Sequence, residues 1–311
     1  MNSFDYPLLQ LNEYEQVRDC LSQGKSCQVT GCGDSQLAHF ISGLSNGYKQ
    51  KVIVTFSALK AKEIYEDIKG FTEDAVIYPS KDFIFFSADV HGNLILQQRL
   101  EFIQKVVEDK PFTVILTADA FMDKIQPLSK VKDNFLEISE GSVIEMDALK
   151  MKLVKMGYQA VDQIDSPGQF AVRGSILDIY TLTDEVPYRV DFWDDQVDII
   201  KSFEVENQRS IENLHSIKIY PATEYFFTKE ELKKGTEKIR EELEKTVTKF
   251  RKKFDTEEAN RLKITVEEFL TNIDINPFSV ALDSYVNYFS DELTSLMDYF
   301  DNPLFFIDEP K

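Results

Sequence analysis

Residues 170–180 read Phe-Ala-Val-Arg-Gly-Ser-Ile-Leu-Asp-Ile-Tyr, and residues 187–193 read Pro-Tyr-Arg-Val-Asp-Phe-Trp. We interpret both segments as having the period of two residues that is typical of a β-strand with one buried face, so residues 170–180 are predicted to form one strand. Turn-forming residues separate the two segments, and another strand-like segment follows at 197–205. Consecutive strands with short connections predict an antiparallel meander, and a helix at 147–156, ended by Gly157, is predicted to pack against it.

Before the meander, short apolar segments alternate with helical ones. The predicted strands are 52–55, 75–79 and 112–117, and the predicted helices are 59–69 and 93–107. Alternating strands and helices, with continuously apolar strands, are typical of a parallel sheet covered on both faces. Residues 83–86 (Phe-Ile-Phe-Phe) are predicted to be core, and residues 88–93 to be a loop. The fold class is therefore predicted to be α/β with an inserted α+β meander.

A segment near the N-terminus has the outline of a phosphate-binding loop with altered chemistry. A strand-like segment at 27–30 runs into two glycines and then into a helical pattern. In the G-x-x-x-x-G-K-[ST] motif the lysine contacts the phosphates and the hydroxyl residue binds magnesium. When Gly33 is aligned with the second glycine of this motif, Gln28 occupies the position of the first glycine and Asp34 that of the lysine. Of the other motif positions, only Ser35 matches. At about 4 Å and an effective dielectric near 20, each charge interaction is worth roughly 4 kcal/mol, so replacing that cation by an anion costs on the order of twice that. The loop is therefore predicted not to bind nucleotide. The vestigial loop comprises Gln28, Gly31, Gly33, Asp34 and Ser35.

The C-terminal segment has the outline of a Walker B strand. Residues 303–310 (Pro-Leu-Phe-Phe-Ile-Asp-Glu-Pro) form an apolar run closed by Asp308 and Glu309, and the aspartate of a Walker B strand would hold magnesium through water. We interpret these two acids as vestigial as well. The stretch 228–261 is dense in Lys and Glu and predicts a solvated helix. The chain stops directly after the strand, which predicts a fragment of a longer protein.

The bulk composition narrows the functional classes. The chain has 311 residues, 43% of them hydrophobic, which suffices for two or three domains. Its net charge of −19 argues against a surface that binds nucleic acid throughout. The three cysteines (Cys20, Cys27, Cys32) lack metal-ligand spacing and are expected to be reduced thiols. No signal sequence or membrane span is evident, so a cytoplasmic protein is expected, with no metal, cofactor or membrane partner.

Several blocks of the sequence resemble a module of the bacterial transcription-repair coupling factors, the Mfd family. This module is the N-terminal part of those proteins and is homologous to UvrB. The matching blocks are 157–162, 167–179, 188–198, 203–210 and 217–224. The resemblance implies a helicase-like α/β domain in two halves, residues 1–130 and 220–311, which enclose an α+β meander domain, residues 131–219. In UvrB the α/β part is an active ATPase, whereas in Mfd it lacks the ATP-binding residues, in line with Gln28 and Asp34 here. The lesion-probing hairpin of UvrB is also missing from the interval 79–93.

The resemblance also implies a partner for the meander domain. In the family this domain binds UvrA, and Arg173, Arg189 and Trp193 fall on the contact positions. Strand alternation agrees, because a core face made by Val190 and Phe192 leaves Arg189 and Trp193 on the outer side. Arg and Trp are enriched at interface hot spots. The alternative interpretation is that the tryptophan is buried and the arginines form local salt bridges.

The leading hypothesis is therefore a non-catalytic recruitment module of transcription-coupled nucleotide excision repair that binds UvrA. The resemblance implies a longer parent that is an ATP-dependent translocase, binds double-stranded DNA and RNA polymerase, and masks the UvrA surface with its C-terminal regions. The alternative is a UvrB-type ATP-dependent DNA repair enzyme that binds nucleotide at residues 31–35, with Asp308 as metal partner and Glu309 as base. Direct DNA binding by the α/β part is a third possibility.

Overall fold

The computed structural model describes residues 6–45, 47–81, 91–275, 282 and 285–309. The helices are α1 (Asn12–Ser22), α2 (Asp34–Leu44), α3 (Ala58–Lys69), α4 (His91–Glu108), α5 (Ala118–Phe121), α6 (Leu128–Lys132), α7 (Met146–Lys155), α8 (Lys229–Lys252), α9 (Thr256–Ile275) and α10 (Val286–Phe289), with 3-10 turns at Leu8–Gln10 and Leu296–Tyr299. The strands are β1 (Gln50–Thr55), β2 (Ala75–Tyr78), β3 (Phe112–Thr117), β4 (Lys124–Ile125), β5 (Leu136–Ser139), β6 (Gln159–Ala160), β7 (Gln169–Arg173), β8 (Ile176–Tyr180), β9 (Tyr188–Trp193), β10 (Gln196–Phe203), β11 (Ser210–Leu214), β12 (Ser216–Ile219), β13 (Thr294–Ser295) and β14 (Leu304–Ile307). The predicted core segment 83–86 lies outside the described residues, and the loop predicted at 88–93 ends no later than His91, where α4 begins.

The chain forms two compact units, and the first consists of residues 1–81, 101–123 and 296–311. Its sheet has the order β14-β1-β3-β2, and every described pairing in it is parallel. Ile53 and Ile115 lie on one face, in a core with side chains of α2 and α3. On the other side, Phe102 of α4 packs edge-on against Tyr78 at 4.9 Å. The predicted parallel sheet, with its three strands and its two covering helices, is confirmed.

The second unit consists of residues 82–100 and 124–295 and contains the predicted meander. A six-stranded sheet has the order β11-β10-β9-β8-β7-β6, antiparallel except for the β6–β7 pair. One face of this sheet packs against α7 and the two-stranded sheet β5–β12. The core between them comprises Ile138, Leu149, Leu153, Met156, Tyr158, Phe170, Leu177, Ile179, Val190, Phe192, Val197, Ile200, Ile217, Ile219 and Ala222. The antiparallel meander and its packed helix are therefore confirmed.

The single strand predicted at 170–180 is wrong, because this segment is a hairpin. The turn between β7 and β8 contains Gly174, whose φ of +62° lies in the left-handed region that glycine adopts most easily. After the turn, Arg173 pairs with Ile176 and Ala171 pairs with Asp178. Residues two apart on a strand share a face. The hairpin therefore brings Arg173 and Asp178 to the same face of the sheet.

The strand predicted at 27–30 is also wrong. Residues 25–30 have neither helical nor strand structure and are exposed, and the parallel sheet begins only at β1. Helix α2 starts at Asp34 all the same, directly after Gly33. The helix that would follow a phosphate loop is present, but no described strand leads into that loop.

The charged stretch predicted as one solvated helix is a pair of packed helices. Thr228 caps α8 in a capping box with Glu231, whose backbone N–H donates to the threonine hydroxyl at 3.1 Å. Ile239 of α8 packs with Phe269 and Leu270 of α9, while the Lys and Glu residues lie mainly on exposed positions. These helices belong to the second unit, whereas β14 joins the parallel sheet. The domain boundaries predicted at 130/131 and 219/220 stay predictions.

We expect Gly157→Ala to destabilise the second unit by on the order of 3 kcal/mol. Gly157 follows α7 with φ +90°, and a Cβ built there would lie 3.0 Å from Cβ of Thr223 and 3.1 Å from the carbonyl carbon of Ala222. Gly174→Ala is the matched control, because its φ is also positive but nothing lies within 4 Å of the added Cβ. Urea denaturation followed by circular dichroism should give the larger loss for Gly157→Ala, and equal losses would contradict the packing argument.

Candidate protein-interaction surface

The six-stranded sheet has a second face, opposite its core, which we call the outer face. Strand alternation assigns to it the side chains of Arg173, Ile176, Asp178, Arg189, Asp191, Trp193, Ile199 and Lys201. One end of this face is covered by a small cluster in which Ile164 packs with Ala171 and Phe203. The predicted contact residues Arg173, Arg189 and Trp193 all belong to the outer face.

Trp193 is the most exposed large apolar side chain on the outer face. It is the only tryptophan of the chain, and 79% of its surface is accessible. It lies at the end of β9, paired with Gln196 across a tight turn, while Val190 and Phe192 of the same strand are buried in the core. The alternative interpretation of a buried tryptophan is therefore wrong. An exposed indole beside a charged sheet face is a common feature of protein-binding surfaces.

The two arginines meet at one buried carboxylate. Nε and Nη2 of Arg189 donate to Oδ1 and Oδ2 of Asp178 at 2.6 and 2.8 Å, and Nη2 of Arg173 donates to Oδ2 at 2.6 Å. The Asp178 side chain is only 2% exposed, against 16% for Arg189 and 48% for Arg173. The alternative interpretation is correct on this point, since both arginines form local ion pairs. The Arg173 guanidinium nevertheless remains half exposed.

A second ion pair separates the arginine cluster from Trp193. Nζ of Lys201 donates to Oδ2 of Asp191 at 2.7 Å. Arg189 and Trp193 are four residues apart on one strand, which corresponds to roughly 13 Å. The side chains assigned to the outer face include three cations and two anions, so its charge is slightly positive although the chain has a net charge of −19. The surface therefore offers a partner two separate contact points, a cationic one and an aromatic one.

Sequence reasoning missed Asp178, Gln208 and Phe203. Nη2 of Arg189 donates to Oε1 of Gln208 at 2.8 Å, and the guanidinium carbon lies 4.4 Å from the ring centre of Phe203. The pKa of Arg189 is raised, first by its hydrogen bond to Asp178, while its partial burial acts in the opposite direction. Gly174 was the sequence signal that could have identified Asp178, because a glycine within a strand pattern marks a turn. That turn folds β8 back onto β7 and places the Asp178 side chain on the outer face.

The predicted vestigial loop is an exposed segment that leads into α2. Gln28, Gly31 and Gly33 are exposed, and the backbone N–H of Gly33 donates to the side-chain Oε1 of Gln36 at 3.3 Å. Phosphate loops bind their ligand through backbone N–H groups that converge at a helix N-terminus. Here the side chain of Gln36 engages one of those groups.

The predicted vestigial Walker B residues follow β14 at the carboxyl end of the parallel sheet. The backbone N–H of Asp308 donates to the carbonyl of Val54 at 2.9 Å, and its Oδ2 accepts from the hydroxyl of Thr55 at 3.1 Å. Glu309 is exposed, with φ +45°. Asp308 thus extends the pairing of β14 with β1.

Within the described part of the chain, no group of three or more His, Cys, Asp or Glu side chains is arranged to hold a metal ion. Over the same residues, no helix combines the length and the apolar character needed to cross a membrane. Cys20, Cys27 and Cys32 are all free thiols.

A family model described as the UvrB interaction domain matches residues 136–225, which include all of the outer-face strands from β6 to β11. Among curated proteins, the transcription-repair-coupling factor of Bacillus subtilis is 32% identical over 232 residues, covering 73% of this chain and 20% of that protein. The corresponding factor of Staphylococcus epidermidis is 28% identical over 83% of this chain, and that of Escherichia coli is 28% identical over 56%. The matched part of the chain spans 15–22% of the length of these relatives.

Proposed function

We propose that this chain, which is similar to the transcription-repair-coupling factors and matches the UvrB interaction domain over residues 136–225, is a non-catalytic recruitment module of transcription-coupled nucleotide excision repair. Its partner is UvrA, which binds to the outer face of the six-stranded sheet. The contact residues are Arg173, Arg189 and Trp193. The observation that supports this most strongly is the exposed Trp193, on the same sheet face as a half-exposed guanidinium.

The chemistry of the outer face suits a protein partner. An exposed indole supplies a large, rigid apolar area, and a guanidinium with free donors binds a carboxylate in a fixed geometry. Burying both at the centre of an interface is the usual arrangement of a hot spot. A purified cognate UvrA should therefore bind the intact chain in a calorimetric titration, with a Kd on the order of 1 μM or below. No heat of binding at concentrations of about 100 μM would overturn the proposal.

The proposal includes the absence of nucleotide chemistry in this chain. Three features support it: Asp34 at the lysine position, the lack of a described strand before the loop, and the engagement of the Gly33 N–H by Gln36. The UvrB-type ATPase alternative needs a cation and free N–H groups at this place.

We therefore expect a fluorescent ATP analogue to show no magnesium-dependent binding at concentrations up to about 1 mM. The variant Asp34→Lys supplies the missing cation and is expected not to restore binding, because the loop geometry is unchanged. Micromolar, magnesium-dependent binding by the unaltered chain would instead favour the ATPase alternative.

The finer domain organisation is also a proposal. The parallel pairing of β14 with β1 supports a helicase-like α/β domain whose two halves enclose the meander, because the last described strand joins a sheet built from the first part of the chain. In a longer parent, we propose that the remaining regions form an ATP-dependent translocase that binds double-stranded DNA and RNA polymerase. Those regions would mask the outer face until the parent engages a stalled polymerase.

A further inference from the structure

The carboxylate of Asp178 links the two arginines of the outer face. It accepts three charge-assisted hydrogen bonds from two guanidinium groups, all between 2.6 and 2.8 Å. Bonds of this type are about twice as strong as those between neutral groups. Because the side chain is almost fully buried in β8, its position is set by the sheet.

The two arginines that share this carboxylate differ in their surroundings. Arg189 is bound by Asp178 through two nitrogens and also by Gln208, while its guanidinium lies over Phe203. Gln208 is itself held, because its Nε2 donates to the carbonyl of Val205 at 2.9 Å. Arg173 has a single described bond to Asp178, and its side chain is half exposed. Arg189 is thus enclosed within the surface, whereas Arg173 projects from it.

We infer that Asp178 is a positioning residue for UvrA recognition: it holds Arg189 as a fixed part of the surface and orients Arg173, whose remaining N–H donors contact the partner. This inference rests on the proposed function. A guanidinium that is oriented before binding loses less side-chain freedom on association, which favours affinity. Its planar fork of donors suits a carboxylate on the partner.

A double-mutant cycle tests the positioning role. Asp178→Asn keeps the side-chain shape but removes the charge, and we expect it to weaken binding of UvrA by the intact chain about tenfold or more. In the Arg173→Ala background the same substitution should have a clearly smaller effect on affinity, because only the contribution through Arg189 remains. In the Trp193→Ala background it should retain its full effect, since Trp193 lies outside the cluster.

The outcomes of this cycle are distinct. An equal effect of Asp178→Asn in both backgrounds would mean that Asp178 does not act through Arg173, which overturns the inference. If Arg173→Ala and Trp193→Ala both leave UvrA affinity unchanged, the proposed site is wrong, whatever Asp178 does. Thermal melts of each variant set an assay temperature at which all are folded.

A pair of conservative variants keeps the inference testable if Asp178→Asn does not fold. Arg173→Lys is expected to weaken UvrA binding with an unchanged melting temperature, because a lysine cannot reproduce the planar fork. Arg189→Lys is expected to lower the melting temperature and to weaken UvrA binding less than Arg173→Lys does. The reason is that most contacts of Arg189 are made within this protein, with Asp178, Gln208 and Phe203. The reverse assignment of the two effects would overturn the inference.

Discussion

The double variant Arg173→Ala, Trp193→Ala is expected to bind UvrA at least about 100-fold more weakly than the unaltered chain, since two hot-spot side chains contribute about 2 kcal/mol or more each and 1.4 kcal/mol is tenfold in affinity. Both side chains belong to the outer face, where one presents a half-exposed guanidinium and the other an exposed indole. Because exposed side chains contribute little to folding, the melting temperature should change by only a few degrees. Calorimetric titration with UvrA measures the loss.

The matched control for this prediction is Arg251→Ala, Phe254→Ala. It removes one arginine and one aromatic residue from exposed positions at and just after the end of α8, outside the six-stranded sheet, where Phe254 is more accessible than Trp193. UvrA affinity should be unchanged in this control. If both double variants lose affinity equally, the outer face is not the binding surface. If neither does, UvrA binds elsewhere on the chain or not at all.

Arg99→Met is expected to lower the free energy of unfolding of the second unit by about 3–5 kcal/mol. Nε of Arg99 donates to Oε1 of Glu224 at 2.7 Å, and the two side chains are 0% and 3% exposed. Removing the cation takes from a buried carboxylate the positive charge that Arg99 supplies, which is the costly half of breaking a buried ion pair. Urea denaturation followed by circular dichroism measures the change.

Two further variants test whether the loss of stability comes from the burial of the ion pair or from the loss of a positive charge as such. Lys238→Met removes a cation from the surface pair that Lys238 makes with Asp291 at 3.1 Å, and it should cost less than about 1 kcal/mol because exposed pairs contribute little. Adding Glu224→Gln to Arg99→Met removes the buried charge and should recover part of the lost stability. A loss for Lys238→Met as large as that for Arg99→Met would contradict the argument from burial.

Local patterns were sufficient where one segment determines its own structure. The apolar runs at β1, β2 and β3 and the helical spacing of α3 and α4 predicted the parallel sheet of the first unit. The alternation in β9 predicted that Val190 and Phe192 are core and that Trp193 is not. These predictions hold because a period of two or of 3.6 residues directly selects which side chains can be buried together.

The wrong sequence predictions concern segments whose structure depends on contacts with other segments of the chain. The segment 27–30 is apolar enough for a strand but has no described strand partner, and a strand is stable only through its pairing. In the segment 170–180 the core positions shift from even numbers (Phe170, Val172) to odd ones (Leu177, Ile179), which a single strand with one buried face cannot do and which the reversal at Gly174 explains. The helices α8 and α9 bury apolar side chains against each other, which a charge count within one helix does not reveal.

By itself, the sequence determined the mixed α/β class, the departure of residues 28–35 from the phosphate-loop motif, and the resemblance that directed attention to Arg173, Arg189 and Trp193. The tertiary structure alone decided how these three differ. The hairpin at Gly174 brings the buried Asp178 between both arginines, Gln208 and Phe203 close around Arg189, and Arg173 and Trp193 remain accessible. The reason is physical: burial and ion pairing depend on neighbours supplied by other strands, and those neighbours are set by the pairing of the strands, not by the residues next to them in sequence.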